Sequence, residues 1–285
     1  MQDKPSINRL PGDRLHLRHG PIAIVLRVWA APDVVRQAHR LVTRHFPKIL
    51  PELEDEMDEM RLRLQKGHKF QSKVAQRMAD AMAPFGGAPV TARAGAVADE
   101  VLRIVVAAGA IERAYVVDGS DIAFHLAPGF ELTYGAGGDV ADPSPQALGG
   151  NIKLTGGLQA GGLAVAGGQR HAASLGIADT VMVLAKTAAV AAAAAAAIAG
   201  TVDIESKAIT RKAASKVDAD TSLGDALVAT KVGRLTSGEI ETARSAGVAA
   251  AEAALAKGLI AGAVLALQGE SKTVGIGVAG LHAKR

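Results

Sequence analysis

Residues 114–127 read AYVVDGSDIAFHLA. Two apolar runs, Ala114–Val117 and Ile122–Ala127, flank Asp118-Gly119-Ser120-Asp121. Asp-Gly between β-branched and aromatic runs is a strong hairpin signal, because Gly supplies the positive φ that a tight turn requires. Upstream, Thr91 is placed to cap a helix running to Ala108, with Val97, Val101, Ile104 and Ala108 on its buried face and Gly109 as its stop. Downstream, Ala178–Leu184 reads as a strand. Thr187 then caps an alanine-rich helix ending near Ala199 and Gly200. A hairpin bracketed by helices, with a further strand beyond, predicts mixed α and β structure.

The pattern continues in both directions. Ile22–Val28 is an apolar strand candidate, and residues 32–49 carry a helical stripe of Val34, Val35, Ala38, Leu41 and Val42. Leu53, Met57, Met60 and Leu64 form a second stripe, and residues 72–83 a third helix that stops near Pro84, Gly86 and Gly87. Residues 128–168 are glycine-rich and irregular, with Pro143 and Pro145, and 206–232 are polar and weakly patterned. Thr236 and Glu239 make a capping box for a helix ending at Gly258, followed by a strand over Ala261–Gln268. No repeat or dividing linker is evident. The expectation is one α+β domain over residues 1–285, which two lobes would still satisfy.

The chain has 285 residues, 49% hydrophobic and 21% charged, which suffices for a sizeable core and argues against disorder. With 58 alanines and only 3% aromatic residues, that core must rely on many close contacts between small side chains. The absence of cysteine excludes disulfides, thiolate metal sites and Cys nucleophiles. The net charge of +4 sets 32 basic against 28 acidic residues, so a nucleic-acid partner is not expected on balance alone. The first ten residues lack an apolar h-region. The uncharged run Thr187–Val202 falls short of the about 20 residues that a membrane span requires. A cytoplasmic location without a membrane partner is the expectation.

Several local patterns have plain structural readings. Gly275-Ile276-Gly277-Val278-Ala279-Gly280 is a literal GxGxxG, but no room follows for the helix that would hold a pyrophosphate. Glu52, Glu56 and Glu59 share a helix face, which reads as a solvated face. His16 and His19 fall on opposite faces of a strand and make a poor metal pair. Walker A, HExxH and GxSxG patterns are missing. The Asp118–Asp121 turn reads equally as a plain hairpin turn and as a turn offering N–H groups and a carboxylate to a ribose or phosphate.

Longer stretches are also informative: LHLRHGPIAIVL at 15–26, VAQRMADAMAPF at 74–85, AGAVADEVL at 94–102, YVVDGSDIAFHLAPG at 115–129, SLGIADTVMVLAKTAAV at 174–190, LTSGEIETARSAGVAAAEAALAKGLI at 235–260 and LALQGE at 265–270. In order and spacing they resemble the small ApbE-like branch of the ApbE superfamily. That resemblance implies an α+β, T-fold-related architecture of mixed sheets packed with helices, and a pocket for a flavin or pterin nucleotide. The best-known members are FAD-dependent FMN transferases that use magnesium. The cofactor-binding positions it implies are Asp118, Gly119, Ser120, Asp121, Gly167 and Gly168.

The departures from the family pattern are specific. Where the branch has Asn-Asn-Gly-Gly-Asp-Ile, this chain has Val117-Asp118-Gly119-Ser120-Asp121-Ile122. The superfamily's metal-associated Asp and Thr align with Ala192 and Ala196, and its Thr-Ser pair with Val165-Ala166. Magnesium needs oxygen ligands, which these side chains lack, so no metal site is expected there, although Asp179 or Asp139 could restore one from elsewhere. The expectation is therefore a repurposed flavin, pterin or nucleotide pocket, in an enzyme of cofactor or one-carbon (tetrahydromethanopterin-type) metabolism. In it His125 or His171 would move protons, while the catalytic residues stay unassigned. The alternative is a non-catalytic binding or assembly subunit with a vestigial pocket. Its alanine-rich helix would then pack on a sheet or a second subunit, and a homo-oligomer or an enzyme partner is anticipated. A nucleic-acid reading would rest on Lys207, Arg211, Lys212 and Lys216.

Overall fold

The computed structural model describes residues 4–62, 67–134, 148–149, 152–168, 174–275 and 282–283. Leu64, Asp139, Pro143, Pro145, His171 and the glycines Gly277 and Gly280 lie outside them. The fold is α+β. Its centre is a nine-stranded antiparallel sheet.

The first five strands neighbour one another in chain order: β1 (Ser6–Leu10), β2 (Arg14–His19), β3 (Ile22–Ala30), β4 (Ile111–Asp118) and β5 (Asp121–Leu126). The register pairs Ile24 with Asp118 and Asp118 with Asp121. Outside the main sheet, β6 (Glu131–Tyr134) pairs with β8 (Ile152–Thr155), and β7 (Leu148–Gly149) pairs with β15 (His282–Ala283). The main sheet continues through β9 (Gly162–Ala166), β10 (Thr180–Ala185), β13 (Gly262–Leu267) and β14 (Glu270–Gly275). The pairs Ile122–Leu163 and Ala123–Gly162 join β5 to β9. A separate ribbon joins β11 (Ile209–Ala213) to β12 (Leu227–Val232).

Helices cover one face of the sheet. They are α1 (Pro32–Glu54), α2 (Met57–Met60), α3 (Lys73–Met82), α4 (Arg93–Val106), α5 (Ala188–Thr201) and α6 (Ser237–Ala256). Strand alternation sorts the side chains. Leu15, Leu17, Ile24, Leu26, Ala114 and Val116 join the core beneath α1, α3 and α4. Ala164, Val181, Val183, Ala263 and Leu265 lie beneath α5 and α6. On the opposite face Tyr115, Val117, Ile122, Phe124 and Met182 pack under the β6–β8 ribbon through Leu132, Tyr134, Ile152 and Leu154.

Several boundaries differ from the sequence reading. β1 and β2 are additional strands; β2 buries Leu15, Leu17 and His19 and turns its arginines outward. The first helix continues through Pro47 and Pro51 to Glu54, and the acidic run breaks at Asp55 and Glu56. Glu56 thereby becomes free to accept the N–H groups of Gln71 and Ser72, at 2.7 and 2.8 Å, where α3 begins. Thr91 sits in a short 3-10 turn, and α4 starts at Arg93 instead. Its early N–H group, at Gly95, donates to the Asp121 carboxyl of the hairpin. The Thr187 cap and the Thr236–Glu239 capping box form as the sequence predicts. Among the described residues no helix is long and apolar enough to cross a membrane.

Candidate functional site

Val116 and Ala114 face the helices, so Asp118, two residues on, does too. Its cross-strand partner Asp121 follows it to the same side. Both carboxyls are buried, 6% and 7% exposed, where most polar side chains would be in water. Burial, the neighbouring Asp118 charge and Asp99 push Asp121 up to about 8, against the Gly95 N–H that favours its ionised form. Burial raises Asp118 to about 6, with the Arg93 guanidinium and the Ala23 N–H pulling it down. Asp118 Oδ2 has no hydrogen-bond partner among the described residues. Asp99 completes the group. Its two oxygens accept the N–H groups of Ala188 and Ala189 at 2.9 Å and close the N-terminus of α5. Asp118 and Asp121, at about 6 and about 8, can hold and release a proton at near-neutral pH.

The turn itself points outward. Gly119, at φ +60°, has open space where a Cβ would stand, and Ser120 Oγ donates to the Val165 carbonyl at 3.0 Å. That bond ties the turn to the end of β9, two residues before Gly167. Gly167 and Gly168 have φ +95° and +71°, and a Cβ on either would press on the carbonyls of Ala178 or Asp179 within 2.8 Å. Only glycine fits this step.

Beside it opens a cleft of about 500 Å³, lined by Gly168, Ser174, Asp179, Thr230 and three lysines, Lys212, Lys216 and Lys231. The β11–β12 ribbon supplies Lys212, Thr230 and Lys231, and the Ser174–Ala229 bridge holds it to the segment after β9. Against three ammonium groups stands Asp179, raised by burial and receiving the Gln268 N–H at 2.5 Å. The cleft is therefore electropositive and offers hydroxyls beside its cations, a setting for phosphate or carboxylate oxygens.

The implied site residues thus divide. Gly168 lines the cleft, and Gly167 adjoins it. Gly119 and Ser120 stand at the same end of the sheet outside its lining, and Asp118 and Asp121 turn beneath the helices. The sequence does not single out Ser174, Thr230 or Lys231. The available signal is the alternation in ITRKA and LVATKV, which the polar composition of 206–232 obscures. His125 lies 3.3 Å from the Ile111 carbonyl, away from the cleft. Ala192 is buried and Ala196 partly so, and neither carries an oxygen donor for a hard cation. Among the described residues no group of three His, Asp or Glu side chains is placed to hold a metal. The alanine-rich α5 is enclosed by the sheet, α4 and α6, so its small face packs within the chain.

A family model described as AbpE bacteria matches residues 7–273. The chain belongs to this family. It is an ApbE-like protein, in agreement with the stretches quoted above. Among solved structures, the AbpE-family chain is similar to the apo crystal structure of the Pseudomonas stutzeri flavinyl transferase ApbE. The identity is 12% and the TM-score 0.44, over 96% of this chain and 95% of that one. No curated relative matches.

Proposed function

We propose that this AbpE-family protein binds a phosphate-bearing flavin or pterin nucleotide in the cleft beside Gly168, without the magnesium used by FMN transferases. The observation that carries this reading is the set of three lysines around a glycine-only step, at the sheet end to which the Asp118–Asp121 turn is tethered. Lys212, Lys216 and Lys231 take the phosphate oxygens, and Ser174 and Thr230 offer hydroxyls to a ribityl or ribose chain. Magnesium does not fit the aligned positions, because methyl and isopropyl groups at Ala192, Ala196, Val165 and Ala166 cannot coordinate it. The lysines supply the positive charge instead.

Mass spectrometry of the native protein before and after denaturation names the ring. A flavin supports a flavin-related role, and a pterin supports one-carbon metabolism. Titration with FAD or a pterin nucleotide then tests the cleft. Lys212→Gln/Lys216→Gln is expected to weaken binding by about tenfold or more, since charge-assisted hydrogen bonds contribute about 1.5–3 kcal/mol each. Excess EDTA is expected to leave the affinity unchanged. A protein that releases no small molecule and binds neither nucleotide overturns the proposal.

A further inference from the structure

The cleft beside Gly168 carries two kinds of charge on different elements. Lys212 and Lys231 come from the β11–β12 ribbon, and Lys216 from the 3-10 turn at Ala214–Lys216 that follows β11. Asp179, the one carboxylate among the lining residues, comes from the main sheet, one residue before β10. Among the described residues none of the three lysines forms an ion pair with it, so neither charge is quenched by the other. The lining also includes Ile177, Val217 and Val232, aliphatic surface for the faces of a flat ring.

Asp179 is also held in place. Its Oδ2 accepts the Gln268 N–H at 2.5 Å. Gln268 and Gly269 form the two-residue turn between β13 and β14, and Gln268 holds φ +45°, a left-handed conformation that few side chains adopt. Its own amide keeps it there: Oε1 accepts the Leu235 N–H at 3.0 Å, and Nε2 donates to the Gly233 carbonyl at 2.7 Å. Backbone strain of this kind persists where neighbours over-determine it, and it collects at ligand sites. Oδ1 of Asp179 has no hydrogen-bond partner among the described residues. Burial in the cleft wall raises Asp179, and the single N–H from Gln268 offsets this only in part. A second donor would complete the site.

We infer that Asp179 is the specificity-determining residue of this cleft, and that its carboxylate pairs with the adjacent N–H donors of a 2-amino-4-oxopyrimidine ring, as guanine and the pterins carry, in preference to a flavin. The inference rests on the reading of the cleft as a nucleotide site and chooses the ring. In guanine and in pterins an exocyclic amino group stands beside a ring N–H. These two donors match the spacing of two carboxylate oxygens, and such a bidentate contact gains both strength and direction. Each carboxylate oxygen accepts more than one bond, so the Gln268 N–H does not block it. The isoalloxazine ring of a flavin presents its one N–H between two carbonyls. A carboxylate there gains one bond while facing two oxygen lone pairs. The lysines then take the phosphate, and Asp179 reads the ring.

The test is isothermal titration calorimetry of the full chain with FMN and with two matched pairs: GMP with IMP, and a neopterin phosphate with the corresponding lumazine phosphate. The second member of each pair lacks the amino group. The pair that binds, purine or pteridine, tells the two sources of the ring apart. Its amino compound is expected to bind about tenfold or more tighter than its counterpart and than FMN, since the lost bond is to a charged group. Asp179→Asn keeps an oxygen for the Gln268 N–H and is expected to erase that preference. Lys212→Gln/Lys216→Gln is expected to weaken both members of the pair and to leave their ratio unchanged. The ranking on the unmodified protein needs no variant to fold. The inference is overturned by FMN binding as tightly as the amino compounds, by equal affinities within the pair, or by an Asp179→Asn variant that keeps the preference; each of these results leaves phosphate binding in the cleft intact. Failure of every compound to bind overturns the nucleotide reading itself, and this inference with it.

Discussion

Asp118 and Asp121 face each other across a two-residue turn and project into the helix side of the sheet. Their ordinary value is 3.8, and burial lifts them to about 6 and about 8. The folded protein therefore keeps protons that the unfolded chain releases above about pH 4. The stabilisation is fully present below that pH and is lost as pH rises, through about 6 for Asp118 and about 8 for Asp121. Asp121→Asn keeps an oxygen to accept the Gly95 N–H and removes the charge. We predict similar urea midpoints for variant and wild type near pH 3.5, and a midpoint for the variant that is increasingly the higher as pH rises to about 8.5, so that its pH profile is flatter. Parallel profiles would exclude the assignment. The turn was legible from Asp-Gly between apolar runs, whereas the inward aim of its carboxyls was not. Tyr115 and Val117 are as apolar as Ala114 and Val116, and both faces of β4 are buried, so alternation alone cannot say which face meets the helices.

At the scale of elements, the molecule is held together by close backbone approaches that small residues permit. A Cβ on Gly162 of β9 would stand 2.1 Å from backbone atoms of Thr187 and Ala188, and one on Gly95 of α4 would stand 2.4 Å from the Ala188 carbonyl oxygen. The start of α5 is wedged between them. Gly162→Ala is expected to destabilise by about 1–3 kcal/mol or more, as overpacking does, and to lower the melting temperature by several degrees. Gly238→Ala in α6, where a Cβ meets nothing, is expected to be neutral or stabilising by up to about 1 kcal/mol. Equal melting temperatures would refute the wedge. Glu56→Ala strips two N–H groups of their acceptor at the start of α3 and should cost about 1–2 kcal/mol in urea unfolding, with a normal midpoint counting against it. Caps built from neighbouring residues, at Thr187 and at Thr236–Glu239, were legible in the sequence. Those that Glu56, Asp99 and Asp121 supply to α3, α5 and α4 come from other elements, and no local pattern announces them.

For the whole molecule, α+β character and the ApbE-like stretches could be read from the chain, but the distribution of charge could not. Lys212 and Lys231 are 19 positions apart and share a cleft only because β11 and β12 pair; Arg14, Arg27 and Arg113 share a face only through sheet register. The same register divides the chain in time. The first 126 residues supply β1–β5 and α1–α4, each strand beside its predecessor, and the rest supplies β9–β14 with α5 and α6. Synthesis delivers the first half before α5 emerges. Until then Gly95 lacks its covering helix, and Asp99 is a wetted, ionised carboxylate without the N–H groups of Ala188 and Ala189. Arrival of α5 shuts water out of Asp99, whose affinity for protons burial increases. Joining the halves is thus linked to proton binding in the direction of uptake, and acid should favour the joined form over the separated one.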